Sequence, residues 1–222
     1  MNPSDGFGVI FDMDGVVVDS EPLTIRSYLK AFREYGVQVS AVEYIRRVVV
    51  AGCRVSRLFR DHGDGAKWPA VFARKNDIYR ELVREEMRMM PGALELLKEL
   101  RKSVVPCALA TSASRATMSI VFERFGLDRY FDETVTLDEV GNHKPHPDCF
   151  LRAAELLGLP PERCVVIEDA PKGILAAKAA GARCLAVPTY LTANEDLSIA
   201  DAVVRSLEEV SVEGLRGIVF PA

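Results

Sequence analysis

Short apolar runs alternate with amphipathic stretches over most of the chain. Residues 8–11 form the first apolar run of strand length, and four more follow residue 91: 104–110, 131–136, 165–167 and 184–187. Pro106 cannot donate to a ladder, so we expect the strand within 104–110 to begin only near Cys107. The stretches between these runs carry helical spacing: 94–100, 114–125, 147–158 and 171–180. Strands that alternate with helices predict an α/β fold, a Rossmann-like doubly wound parallel sheet covered on both faces.

The segment between the first strand and residue 91 breaks this alternation. It is far longer than a βαβ crossover, which needs on the order of 30 residues for the whole unit. Its pattern is helical throughout: a stripe from Ile25 to Phe32, a capping box at Ser40 and Glu43, and helices expected at 55–59 and 71–89. We therefore predict a catalytic core at 1–19 and 91–222, interrupted by an inserted α-helical cap domain at 20–90.

Composition and charge narrow the functional classes. The 222 residues include 28 basic and 32 acidic side chains, a formal net charge of −4, which argues against a nucleic-acid partner. No apolar run approaches the ~18 residues of a membrane helix, and the first residues lack the pattern of a signal peptide. The five cysteines are scattered without a C-x-x-C pair, so disulfides and zinc are both poor interpretations. We expect a cytoplasmic protein that is a monomer or a weak homo-oligomer.

Polar side chains gather where the predicted strands end. They are Asp12 and Asp14 after the first strand, Ser112 after 104–110, Glu168 and Asp169 after 165–167, and Lys144 just before the 147–158 helix. Ligands of open parallel sheets bind outside the carboxyl ends of the strands, so these groups are expected to meet at one edge. Carboxylates this close repel one another unless a cation joins them, and Mg²⁺ prefers such hard oxygen ligands.

These residue types suit phosphoryl transfer. A phosphoryl group needs a metal ion, a lysine and hydroxyl or backbone donors around its oxygens. Asp12 suits the nucleophile that forms an aspartyl phosphate. Asp14, two residues on, suits a general acid/base that exchanges protons with the leaving or attacking oxygen.

Each feature alone also has a structural interpretation. A D-x-D-G sequence after a strand is common in turns, and Glu168 with Asp169 suits the start of the next helix. Lys144 suits a surface position, and Ser112 and Ser114 suit a helix N-cap. The arrangement of all of them at strand ends favours a shared site. The chain has no phosphate-binding G-x-x-x-x-G-K-[ST] loop and no G-x-G-x-x-G after a strand, which argues against ATP and dinucleotide binding.

Four segments together resemble one family. FDMDGVVVDSE, LATSAS, the lysine of HKPHPD and VVIEDAPKGILAAKAAG are similar to motifs of the haloacid dehalogenase-like hydrolase superfamily, most closely its β-phosphoglucomutase-like phosphatases and mutases. The position of the cap after the first motif also matches, and RKND at 74–77 resembles the mutases. The resemblance implies a Mg²⁺-dependent enzyme with this core and cap.

The resemblance also implies roles for individual residues. It makes Asp12 the phosphorylated nucleophile and Asp14 the acid/base. The transferring phosphate would be held by Ser112, Ala113 and Lys144. Mg²⁺ would be held by Asp12, the main-chain oxygen of Asp14 and Asp169, with Glu168 in or next to the metal shell. Substrate contacts would come from Arg54, Lys75, Ser114 and Arg115.

Three positions depart from the mutase pattern. Gly52-Cys53-Arg54-Val55 places its arginine one position earlier than the mutase G-V-S-R loop. Thr24 stands where a histidine is expected, and Ala116 replaces an asparagine. These departures affect the groups that bind a second phosphate. We therefore expect a phosphatase of a small phosphorylated metabolite such as a sugar phosphate, with a β-phosphoglucomutase-type mutase and a phospho-aspartate signalling receiver as the alternatives.

Overall fold

The computed structural model describes residues 6–221 and contains one parallel sheet. Its six strands are β1 Gly8–Phe11, β2 Cys107–Ala110, β3 Glu133–Val135, β4 Cys164–Glu168, β5 Arg183–Ala186 and β6 Ala202–Val203. The strand order is β3-β2-β1-β4-β5-β6, so the chain reverses direction across the sheet at β1. Phe11 pairs with Leu109 of β2 and with Ile167 of β4. The residues that follow these three strands therefore emerge side by side, at the crevice where α/β sheets bind ligands.

Nine α-helices lie within the described residues: α1 Glu21–Glu34, α2 Ala41–Tyr44, α3 Val55–His62, α4 Trp68–Glu86, α5 Ala93–Lys102, α6 Arg115–Phe125, α7 Asp148–Leu156, α8 Pro171–Ala179 and α9 Val212–Val219. A π-helical segment at Ile45–Val50 directly follows α2. Helix α6 has Ser114 as its N-cap, one of the two serines that suited this position in the sequence. It ends at Gly126, which adopts the left-handed conformation common at helix C-termini. Pro147 is the N-cap of α7, so this helix begins at Asp148, one position after the predicted first helical residue.

The alternation of side chains along the strands builds two apolar layers. Ile10 and Val166 belong to a buried cluster with Phe150 of α7 and Ile174 of α8. Because successive strand residues point to opposite faces, the fully buried Phe11 faces the other layer, where its ring contacts Phe131 edge-on with centroids 5.7 Å apart. The predicted α/β fold is confirmed, and strand β2 begins at Cys107 as Pro106 required.

The chain divides into two compact units. One runs to Asp19 and resumes at Arg88, and the other is Ser20–Met87. The second unit is helical and has its own aromatic core, in which Phe32 and Phe59 lie 5.2 Å apart and Tyr28 stacks on Trp68 at 6.3 Å. Its large buried side chains come from helices α1 to α4.

Two boundaries differ from the predicted ones. Helix α4 spans Trp68–Glu86 rather than 71–89, and the helical unit ends at Met87 rather than at residue 90. The main chain explains both differences. Met89 pairs with Val18 in an antiparallel bridge, and the Met90 N–H donates to the Val17 carbonyl. These residues are therefore extended, and they belong to the sheet-containing unit.

Elements near the C-terminal end were not predicted. Strand β6 is two residues long and α9 is eight residues long. Both are shorter than the stretches over which strand or helix periodicity is recognised in a sequence, about 4 and about 11 residues. Among the described residues, no helix combines the length and the apolar character that crossing a bilayer requires. All five cysteines are free thiols.

Candidate active site

Asp12 is the first residue beyond β1 and is almost completely buried, with 7% of its surface exposed. Its N–H donates to the carbonyl of Ile167 at 3.0 Å, which extends the β1–β4 pairing by one residue. The aspartate is therefore held by the sheet itself, so its carboxylate has a fixed direction. A nucleophile benefits from this rigidity because little ordering remains to be done in the reaction.

Lys144 joins three strand ends through its ammonium group. Its Nζ lies 2.5 Å from Oδ1 of Asp12, 2.7 Å from Oε1 of Glu168 and 3.1 Å from the carbonyl oxygen of Ala110. Only 8% of the side chain is exposed. An ion pair this well buried is stable only when its hydrogen bonds are satisfied on both sides, and here the three N–H donors all have acceptors.

Glu168, the last residue of β4, is fixed at both carboxylate oxygens. Oε1 accepts from Lys144, and Oε2 accepts from the N–H groups of Asp169 and Ala170 at 3.0 and 3.2 Å. Gly173, in the first turn of α8, makes room for this carboxylate. A Cβ at residue 173 would lie 1.7 Å from Oε1 of Glu168.

This close approach gives a first prediction. We expect Gly173→Ala to displace the Glu168 carboxylate, to lower the free energy of unfolding by about 1–3 kcal/mol and to weaken binding of a divalent cation. Urea denaturation and calorimetric titration would measure the two effects. Gly217→Ala is the matched control, because a Cβ there meets no atom within 4 Å and alanine raises helix propensity. Equal stability of the two variants would contradict the assigned role of Gly173.

Burial and mutual repulsion govern the ionisation of the site. Burial raises the pKa of Asp12 to about 7, and the carboxylates of Glu168 and Asp14 add to the rise while Lys144 opposes it. Burial, followed by repulsion from Glu168 and Asp12, raises the pKa of Asp169 to about 9. Burial alone would lower the pKa of Lys144, but its two carboxylate partners outweigh burial and raise it. One ammonium group therefore leaves the acidic cluster under-neutralised.

The acidic cluster fits a divalent cation. Asp12, Glu168 and Asp169 each place a carboxylate oxygen within 4.8 Å of the others, and Mg²⁺ and similar hard ions take such oxygen ligands. Both oxygens of Glu168 already accept hydrogen bonds. Asp12 and Asp169 are therefore the better candidates for direct ligands, and Glu168 is better suited to hold Lys144 beside them.

The raised pKa values predict how metal binding depends on pH. An aspartate whose pKa is raised on folding keeps its proton when the unfolded chain has lost it, so the metal-free protein loses stability as pH rises from about 4 towards 9. A cation binds the ionised carboxylates in competition with protons. We expect the increase in melting temperature on adding saturating MgCl₂ to grow steadily up to about pH 9. Scanning calorimetry at several pH values would measure it.

The control for this prediction is Asp169→Asn, which removes the most perturbed carboxyl group. Its metal-free melting temperature should fall less with rising pH than that of the wild-type protein, and MgCl₂ should raise it only slightly. A stabilisation by MgCl₂ that is large and independent of pH in the wild-type protein would contradict the assignment.

Asp14 and Gly15 lie in the loop that follows Asp12. Asp14 is half-buried and pairs with Val18 in a short parallel bridge, which folds residues 14–18 into a compact turn. Gly15 has a φ of +82°, and a Cβ there would lie 2.5 Å from Oδ2 of Asp169. The glycine is therefore required twice, by the backbone conformation and by the approach of the Asp169 carboxylate.

The loop after β2 contributes the predicted hydroxyl. Ser112 is exposed and lies two residues beyond Ala110, whose carbonyl accepts from Lys144. The Ala113 N–H donates to Oγ1 of Thr111 at 3.0 Å, so this predicted phosphate donor is engaged within its own loop. Thr111 is itself buried and shapes the loop.

Two of the predicted substrate contacts have structural partners. The Ser114 hydroxyl accepts from the Thr117 N–H at 3.3 Å and caps α6. Arg115 forms an ion pair with Glu139 and donates to Oγ1 of Thr134 at 3.2 Å. The guanidinium group is therefore held on the side of β3, and the structure does not bring it to Asp12.

The other two predicted substrate contacts lie in the helical unit. Arg54 lines a groove of about 630 Å³ whose other lining residues include Arg47, Arg57 and Arg60. The ammonium of Lys75 lies 4.9 Å from the ring centre of Tyr28 and 4.7 Å from that of Tyr79. Arg74, which precedes it, pairs with Glu34 at 2.6 Å, so the polar turn at 74–77 takes part in ion pairs of its own unit.

Residues 9–187 match the family model of the haloacid dehalogenase-like hydrolases. The match covers most of the chain and includes every strand end that carries the acidic cluster. The chain is a haloacid dehalogenase-like hydrolase. Within this family it groups with the β-phosphoglucomutase-like proteins that its motifs resemble.

Named relatives of this hydrolase include phosphatases. It is 34% identical to hexitol phosphatase A of Escherichia coli (strain K12) over 208 residues, 92% of this chain and 93% of that protein. It is 37% identical over 191 residues to the chloroplastic protein SUPPRESSOR OF QUENCHING 1 of Arabidopsis thaliana; the match takes in 83% of this chain but only 18% of that longer protein. The crystal structure of CbbY from Rhodobacter sphaeroides in complex with phosphate superimposes with a TM-score of 0.81 at 28% identity, covering 94% of this chain and 98% of that one.

Hydrolases of this family generally depend on a metal ion, and this member has a buried acidic cluster. Sequence reasoning missed two residues that shape the cluster, Gly15 and Gly173. Gly15 had a signal, since it follows D-x-D in a predicted turn. Gly173 had a weaker signal. Glycine is unfavourable in a helix, so its presence in the first turn of a predicted helix suggests a packing reason that the local sequence does not show.

Proposed function

We propose that this protein is a Mg²⁺-dependent phosphatase of small sugar phosphates that acts through an aspartyl phosphate. The observation that carries the proposal is the buried contact of Lys144 with Asp12 and Glu168, next to Asp169. Such an arrangement of acids and one cation suits a dianionic phosphoryl group and a metal ion. The hexitol phosphatase relative supports a phosphorylated sugar or sugar alcohol as the substrate.

The proposed reaction has two displacements at phosphorus. A carboxylate oxygen of Asp12 attacks the phosphorus atom, the bond to the sugar oxygen breaks, and Asp14 donates a proton to that oxygen. Water then attacks the phosphorus of the aspartyl phosphate while Asp14 accepts its proton, and the bond to Asp12 breaks to release inorganic phosphate. Lys144 and Ser112 donate to the phosphoryl oxygens. A divalent cation held by Asp12, Asp169 and the main-chain oxygen of Asp14 would neutralise charge on the phosphoryl oxygens.

The surroundings of α6 favour hydrolysis over mutase activity. A mutase must hold a second phosphate group, and Arg115 is the basic residue of the sheet-containing unit that the sequence predicts as a substrate contact. Its guanidinium is engaged by Glu139 and Thr134, and Ser114 is engaged as a helix cap. Water then remains the acceptor of the phosphoryl group. We further propose that the helical unit acts as the cap, with Arg54 and Lys75 as its substrate contacts.

A substrate panel with MgCl₂ tests the proposal. We expect phosphate release from hexitol and hexose monophosphates, and loss of that activity after chelation with EDTA. A coupled assay primed with a sugar bisphosphate would measure isomerisation in parallel. Isomerisation faster than phosphate release would favour the mutase, and a long-lived phospho-aspartate without turnover would favour a signalling receiver.

The free thiols support the proposal of a reducing cytoplasmic location, and a monomer or weak homo-oligomer stays a prediction.

A further inference from the structure

An aromatic ring lies against the ammonium group of Lys144. The Nζ atom is 4.6 Å from the ring centre of Phe150, a residue of α7. Phe150 is 1% exposed and packs in the apolar layer with Ile10 and Val166. The contact is therefore shielded from water, which is the condition under which attraction between a cation and the face of a ring is strongest.

The ring differs in kind from the other partners of Lys144. Three acceptors, Asp12, Glu168 and the Ala110 carbonyl, already take up the three N–H donors. To donate to a phosphoryl oxygen, the ammonium must release one of them. A hydrogen bond weakens steeply when its angle changes, whereas the attraction to a ring face depends on the charge and not on where each N–H points.

We propose that Phe150 is a positioning residue for Lys144. It holds the ammonium group above Asp12 while the N–H donors exchange between the carboxylates and the phosphoryl group. The role rests on the proposed function, because Lys144 needs this freedom only if it binds a transferring phosphoryl group. In this role Phe150 acts through the Lys144 ammonium group and not on the phosphoryl group itself.

Fluorinated phenylalanines separate this role from packing. Introducing one, two and then three fluorine atoms at the Phe150 ring weakens its attraction for a cation stepwise while its shape changes little. We expect kcat for phosphate release to fall with each fluorine, by about tenfold over the series, and KM to change much less, because the ammonium matters most where charge develops. The same series at Phe122, a buried ring stacked on Phe131, is the matched control and should leave kcat unchanged.

A second measurement does not depend on turnover. Buried ammonium protons give resolved signals in proton–nitrogen correlation spectra, and a proton above a ring is shifted upfield. We expect one lysine ammonium signal to lie upfield of the others, to disappear in Lys144→Met and to move downfield in Phe150→Leu. No movement in Phe150→Leu would overturn the proposal, even if that variant lost activity.

The results of these experiments distinguish failure of the proposed phosphatase function from failure of the positioning role of Phe150. If the wild-type protein releases no phosphate, the proposed function fails and the spectra alone decide whether Phe150 holds the ammonium. If it releases phosphate and kcat is independent of the number of fluorine atoms, the positioning role fails and the phosphatase stands. A stepwise fall at Phe150 with no fall at Phe122 supports the role.

Discussion

We expect Asp12→Asn to release phosphate at least ~10³-fold more slowly than the wild-type protein, because an amide oxygen lacks the charge to attack phosphorus. The substitution preserves the shape of the side chain. Its carbonyl oxygen still accepts from Lys144, and its main-chain N–H still donates to Ile167. Burial already raises the pKa of this carboxyl to about 7, so replacing it removes repulsion from the acidic cluster. The variant should therefore be at least as stable as the wild-type protein.

Initial rates of phosphate release with saturating MgCl₂ would measure the effect, together with urea denaturation of both proteins. Asp128→Asn is the matched control, an exposed aspartate beyond α6, and it should leave the rate unchanged. A fall in rate accompanied by an equal loss of folded protein would point to a structural effect. Retention of a tenth or more of the wild-type rate by a folded Asp12→Asn variant would remove Asp12 as the nucleophile.

Lys144→Met is expected to have the second largest effect, and it acts on stability as well as rate. Removing one partner of a buried ion pair leaves the other charge uncompensated and typically costs about 3–5 kcal/mol. Here two carboxylates, Asp12 and Glu168, lose the same cation. The free energy of unfolding without divalent cations should therefore fall by about that amount, and the rate of phosphate release by about 10²-fold or more.

The pH dependence of the stability loss distinguishes lost charge from lost packing. Asp12 becomes protonated as pH falls below about 7, and a protonated carboxyl does not need the ammonium. The deficit of Lys144→Met should therefore shrink towards acid pH, whereas a loss of packing would persist. Lys178→Met is the matched control, because its ion pair with Asp201 is partly exposed; it should cost less than about 1 kcal/mol. A deficit of Lys144→Met that is equal at pH 5 and pH 8 would contradict the electrostatic explanation.

Local patterns predicted the candidate site wherever a strand and the polar residues after it are adjacent in sequence. Asp12 and Asp14 follow β1, Glu168 is the last residue of β4, and Asp169 follows it. Strands β1 and β4 were recognised by their apolar runs, and the rule for open parallel sheets places their carboxyl ends at one edge. Lys144 was harder to place, because it lies in a loop without a periodic pattern. Its agreement with the strand-end residues and the resemblance of the HKPHPD segment indicated a role, and the distances of 2.5 and 2.7 Å come from the structure.

Arg115 shows what adjacency in sequence leaves undetermined. It follows the LATSAS segment and is predicted to contact substrate, and in the structure its guanidinium pairs with Glu139, 24 residues later in the chain. The direction of a side chain at the start of a helix depends on which partner the fold brings near. That partner lies beyond β3, a three-residue strand, whose local sequence gives no information about its neighbours across the sheet.

The sequence by itself determined the alternation of strands and helices, the presence of an inserted helical segment and the acids at the ends of β1 and β4. Each of these depends on residues only a few positions apart, so a short window of sequence is enough to recognise their periodicity and turn chemistry. The tertiary structure alone decided that Phe150 lies against the Lys144 ammonium, that Gly173 makes room for Glu168 and that the linker after α4 is extended. These are contacts between segments distant in sequence. They form only in the folded protein, where close packing fixes the conformation of each side chain.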